Sequence, residues 1–141
     1  MAQRGYLTNI ASEFFIVSLL SRLGLDASLT LGNKKRVDIL VSQSEGRALT
    51  IDVKAVAGKM DWILGNTKFE GAKGHFVVLV GYEGKFNEPL AIPRVWVVPS
   101  GELLAHMKVA GNGKTHYVPR KAFLENGAKY ENAWSHLQHE S

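Results

Sequence analysis

Four charged residues stand where packing alone would place apolar ones: Glu13, Asp38, Asp52 and Lys54. Asp38 lies within Val37-Asp38-Ile39-Leu40-Val41, and Asp52 and Lys54 within Leu49-Thr50-Ile51-Asp52-Val53-Lys54-Ala55-Val56. Glu13 falls inside the apolar arc of an N-terminal helix. Charges are rarely buried without a partner. Three carboxylates and a lysine that converge suit a hard divalent cation. Mg²⁺ takes one or two carboxylates and keeps waters for phosphate oxygens. A neighbouring ammonium can orient a water or stabilise charge growing on a phosphate.

The elements that would position these groups are legible in outline. Residues 8–23 read as a helix capped by Thr8 or Asn9 and closed by Gly24. At 100° per residue, Ile10, Ile16, Val17 and Leu20 form one arc, and Glu13 is in its middle. Strands are expected over residues 27–31, 36–41 and 48–56, with a turn over 42–47. On residues 48–56, Leu49, Ile51, Val53 and Ala55 share one face, and Thr50, Asp52, Lys54 and Val56 the other. A turn through Glu45-Gly46 would pair the second and third strands antiparallel and bring Asp38 across from Asp52. Such carboxylates repel each other unless protonated or bridged by a cation.

Residues 61–73 do not settle on helix or strand, because Gly65, Gly71 and Gly74 interrupt them. Residues 75–82 are a continuous apolar strand, expected to be central. A loop over 83–93 leads to a strand over 94–98, ended by Pro99. Ser100 can cap a helix reaching about Val109. A turn at 111–113, a short strand over 115–118, and helices over 119–125 and 130–139 complete the chain. The alternation predicts an α/β protein with a mixed sheet and helices on both faces.

Glu13, then Val37-Asp38, then Asp52-Val53-Lys54 resemble the PD-(D/E)XK nuclease superfamily, which includes type II restriction enzymes and archaeal Holliday-junction resolvases. Val37 stands at the proline position of that pattern, and Asp52 is the less usual acid at its place. The resemblance spans the first half of the chain, through residues 75–82. It implies a three-layer, restriction-endonuclease-like αβββαβ core with a central mixed sheet flanked by helices. It also implies Asp38 and Asp52 as metal ligands with Glu13 completing the set, Lys54 as catalytic lysine, and Mg²⁺ or Mn²⁺ as cofactor. The expected activity is metal-dependent hydrolysis of nucleic-acid phosphodiester bonds, with DNA as partner. Cutting two strands would need two sites and hence a homodimer.

Lys34, Lys35 and Arg36 would grip a phosphate backbone beside the site. Trp62, Trp96 and Trp134 could stack on bases, although burial is the better reading for Trp96 and Trp134. His136 and His139 are spaced as a metal pair, but a frayed terminal helix explains them more simply. Gly111-Asn112-Gly113-Lys114-Thr115 resembles a phosphate loop only superficially, because Lys108 occupies the place of its first glycine.

The 141 residues are expected to form a single domain. A net charge of +4 permits a polyanionic partner without demanding one. The absence of cysteine excludes disulfides and thiolate metal sites. No apolar run approaches the ~20 residues of a membrane span, and no signal peptide is recognisable, so the expected location is the cytoplasm. The alternatives to an enzyme are a non-catalytic nucleic-acid-binding module and a protein-interaction domain on the same fold.

Overall fold

A computed structural model describes residues 2–30, 37–65 and 71–138. Lys34, Lys35, Arg36 and His139 lie outside the described residues. Helix α1 spans Ala2–Arg22. Its end follows the expected rule: Gly24 takes φ +84°, its N–H donates to the Ser21 carbonyl, and Leu25 N–H donates to Leu20 O. Its start does not. The helix begins at Ala2, so Thr8 is interior and its carbonyl accepts a bond from Ser12 Oγ.

The main sheet has five strands in the order β1-β2-β3-β5-β6. They are β1 (Asp26–Leu29), β2 (Ile39–Ser42), β3 (Ala48–Val56), β5 (His75–Gly81) and β6 (Arg94–Pro99). Strand β4 (Trp62–Gly65) belongs elsewhere. Neighbouring strands run antiparallel except β3 and β5, which are parallel. The sheet is therefore mixed, as expected, and β5 is an interior strand between β3 and β6, although the middle strand of the five is β3. Its apolar run is continuous because both faces are covered.

One face packs on α1. Ile16 and Leu20 are buried there with Ile39, Val41, Ile51, Val53, Val78, Val80 and Val97. The other face is covered by a small antiparallel sheet, β4-β8-β7, where β7 is Lys108–Val109 and β8 is His116–Val118. Short helices α2 (Ser100–Leu103) and α3 (Arg120–Asn126) add Leu103 and Phe123 to this second core. Trp62 is the anchor. It is 1% exposed, donates Nε1–H to the Val80 carbonyl at 3.1 Å, and meets Trp96 edge-on at 5.3 Å. The notion that Trp62 stacks on bases is thereby corrected, because its ring is walled in by Trp96 and Phe123.

Two expected helices differ, and the undecided stretch before residue 75 resolves in part as strand. Residues 100–109 form only the turn of α2, a 3₁₀ turn over Leu104–His106 and then β7. The residues before β5 carry β4, with no helix among the described ones. The closing helix is reduced to α4 (Ser135–Gln138), because Asn132 N–H is taken by the Val95 carbonyl and Glu131 bridges Trp96. Among the described residues no helix is long and apolar enough to cross a membrane.

The same crossing point carries a two-pronged ion pair. Arg94 Nε and a terminal nitrogen reach the Glu131 carboxylate at 2.8 and 2.9 Å, and the guanidinium lies 4.8 Å from the Trp96 ring centre. These hydrogen bonds and the Arg94 charge hold the Glu131 carboxyl below its ordinary value. A lowered pKa stabilises the folded state above the unfolded value, and that contribution is lost as pH falls through the lowered one. Acid unfolding followed by circular dichroism should therefore lose part of its pH dependence below the usual carboxylate range in Glu131→Gln.

Candidate active site

The third strand places Asp52 and Lys54 on the face that also carries Val56, opposite Val77 and Leu79 of β5. They alternate with Ile51 and Val53, which are committed to the α1 side. Their Cα atoms stand ~6.5–7 Å apart, as two residues on one strand must. Asp52 is not paired with Lys54. Its Oδ2 is 2.9 Å from His75 Nε2, with side chains only 15% and 13% exposed. This is a hydrogen bond, and an ion pair when the imidazole is protonated. Lys54 takes part in no hydrogen bond or ion pair with a described residue.

Asp38 arrives differently from the simple cross-strand pairing expected. Ile39 is the register partner of Ile51, yet Asp38 N–H also donates to the Ile51 carbonyl at 2.9 Å. Two residues of the incoming chain thus oppose one of β3, which is a β-bulge. The Asp38 carbonyl accepts the Thr30 N–H at 3.0 Å, so its backbone is held from both sides. The bulge re-aims the side chain into the plane of the sheet, where Oδ2 accepts the Val53 N–H at 2.7 Å. That peptide nitrogen follows directly on Asp52. The Asp38 carboxylate is therefore within about 5 Å of the Asp52 Cα.

Register pairs between β2 and β3 stop at Ile51, so Ala55 lies on an edge of β3 that β2 does not cover. A groove of about 780 Å³ opens there, lined by Ala55 to Gly58 of β3 and its loop, by Asp61, and by Thr8 and Asn9 of α1. Glu13 is one helical turn beyond Asn9 and 7% exposed. Its helix packs on the Ile51 and Val53 face, whereas Asp52 and Lys54 project from the opposite one. The uncovered edge of β3 is where the two sides meet. Among the described residues no three His, Asp or Glu side chains form a group suited to a metal ion. The structure thus places the Asp38 carboxylate on the Val53 peptide, Asp52 and Lys54 on the second-core face of β3 with Asp52 against His75, and Glu13 in the α1 layer.

His75 was not among the sequence candidates. Its signal was present, since it is the polar first residue of an otherwise apolar strand. Its relevance depends on β5 lying parallel beside β3, with His75 opposite Thr50 and so diagonal to Asp52.

The arrangement offers two anionic oxygen donors and a cation on one short stretch of chain. No family model matches the sequence, and no curated protein does. Among solved structures the chain is similar to the bacterial homing endonuclease I-Ssp6803I. They share 16% identity and a TM-score of 0.60, over 92% of this chain and 90% of that one, which is a likeness of fold.

Proposed function

We propose that this chain is a metal-dependent nuclease that hydrolyses phosphodiester bonds of DNA. The observation that carries the reading is the Asp38 carboxylate, drawn by a bulge onto the Val53 N–H between Asp52 and Lys54. The bulge aims one acid at the peptide that lies between a second acid and a lysine. The likeness of fold to a homing endonuclease supports the same class of reaction.

The residues fit a hard cation. Asp38 Oδ2 accepts the Val53 N–H, and Asp52 Oδ2 is held by His75. Two carboxylates, where no three His, Asp or Glu side chains among the described residues form a metal-holding group, match Mg²⁺ or Mn²⁺ better than a metal that demands a full protein cage. When bound, such an ion supplies Lewis-acid polarisation of the phosphate. The chain's own residues do the rest. Asp38 and Asp52 hold the cation, and His75 fixes the orientation of Asp52. Lys54 sets its ammonium against the charge that builds on the phosphoryl oxygens. Glu13 supports the site from the α1 layer, and Lys34, Lys35 and Arg36 meet the backbone phosphates. One such site per chain cuts one strand, so duplex cleavage uses two copies.

The test offers linear, branched and single-stranded DNA and RNA to the pure protein, with Mg²⁺ or Mn²⁺ and with a chelator. Metal-dependent products from DNA support the proposal, and no products from any substrate would refute it. Metal should also stabilise the fold, because it relieves repulsion between Asp38 and Asp52. At a metal concentration about 100-fold above Kd the gain is about 2.7 kcal/mol. Thermal melts should show this as a rise of about 5 °C or more in the wild type and no rise in Asp52→Asn.

A further inference from the structure

We infer that the small sheet β4-β8-β7 is a docking surface for duplex DNA, with the β7-β8 hairpin as the part that enters the major groove. This rests on the reading of the chain as acting on DNA, and extends it to how a duplex is held.

The first support is charge. Between Glu102 and Glu125 the sequence has no Asp or Glu, while it has Lys108, Lys114, Arg120 and Lys121 together with His106 and His116. Arg120 is spent on Glu83. Lys108, Lys114 and Lys121 are exposed. The second support is shape. Ile63, Tyr117 and Lys108 are register partners across the three strands. Their neighbours Trp62 and Val118 are buried, so this row faces outward, and Ile63 is 60% exposed. An outward row with an aliphatic, an aromatic and a cationic member has no core to join.

The third support is rigidity. The hairpin tip from Ala110 to Thr115 is closed by Ala110 N–H to Thr115 O and Gly113 N–H to Ala110 O. The Asn112 side chain accepts from Lys114 N–H and Thr115 N–H and donates to Thr115 Oγ1. Lys114 is therefore presented on a preformed tip, which lowers the ordering cost of binding. A two-stranded ribbon of this kind fits the B-DNA major groove, whereas the major groove of A-form RNA is too deep and narrow. The small sheet also packs on the face of the main sheet that bears Asp52 and Lys54. One duplex can then lie against the hairpin on the same side as the candidate site.

The experiment measures binding of a fluorescent DNA duplex to the full chain by anisotropy, in a chelator so that nothing is cut, across a salt series. Lys108→Ala/Lys114→Ala should bind at least about tenfold more weakly at 0.1 M salt. Its slope of log affinity against log salt should be shallower by about 1.8, which is two phosphate contacts at about 0.9 each. Its melting temperature should match the wild type. Wild type should bind the DNA duplex more tightly than an RNA duplex of the same sequence. Unchanged affinity and slope in the double variant, or RNA bound as tightly as DNA, overturns the inference. A chain that binds through the hairpin but never cuts contradicts the nuclease reading alone, and one that cuts with hairpin binding unaltered contradicts the docking surface alone.

Discussion

Lys54→Ala should cleave DNA about 10²–10³-fold more slowly than wild type, the range seen when one fixed donor to a developing oxyanion is removed. The size follows from where the ammonium sits. Lys54 is half-buried on the second-core face of β3, next in line to Asp52, and is not neutralised by any described residue. A partly desolvated charge beside a reacting phosphate acts through a lower effective dielectric than a surface lysine does. Lys59, exposed in the loop after β3, supplies the control, and Lys59→Ala should cut within about twofold of wild type. The melting temperature of Lys54→Ala should stay close to that of wild type, since no ion pair is broken. Single-turnover rates at saturating enzyme check the claim. A rate equal to that of wild type removes Lys54 from the chemistry.

The largest effect on stability is expected at Trp96. Its side chain is fully buried, meets Trp62 at 5.3 Å and Phe123 at 5.9 Å, and lies under the Arg94 guanidinium. Trp96→Ala opens a cavity at the junction between the main sheet and the small one. Buried Trp→Ala changes cost about 3–5 kcal/mol. Urea unfolding should show a loss of that size. A loss below about 1 kcal/mol would mean that the two sheets are not fastened there.

Much of this architecture is legible in the chain, for identifiable reasons. Strand β3 has the expected bounds, residues 48 to 56, because its period-2 pattern is uninterrupted. The interior position of β5 follows from an apolar run that only two covered faces can hide. Strand β4 is harder to foresee. It has four residues and owes its existence to β8, more than fifty residues away, and to the burial of Trp62. Thr8 looks like a helix cap because its type favours one, but helix continues on its N-terminal side.

The site divides the same way. That Glu13 is buried can be read from its place on the helical arc, but periodicity shows only that a residue faces inward, not which layer it meets. Asp52 and Lys54 share a face as two-apart residues must. The orientation of Asp38 depends on a two-against-one arrangement of hydrogen bonds with Ile51, which no local pattern encodes. His75 reaches Asp52 only because a parallel pairing sets their register.

The claim that Asp38 and Asp52 act together on a cation to break DNA is tested most directly by cleavage across a Mg²⁺ titration. Wild type, Asp38→Asn and Asp52→Asn would be compared on one radiolabelled duplex. Each Asn keeps the shape of the side chain and removes its charge. The account predicts metal-dependent scission by the wild type, and no product from either variant at the Mg²⁺ concentration that saturates it. Cleavage by both variants at the wild-type rate and with the wild-type metal dependence would contradict it.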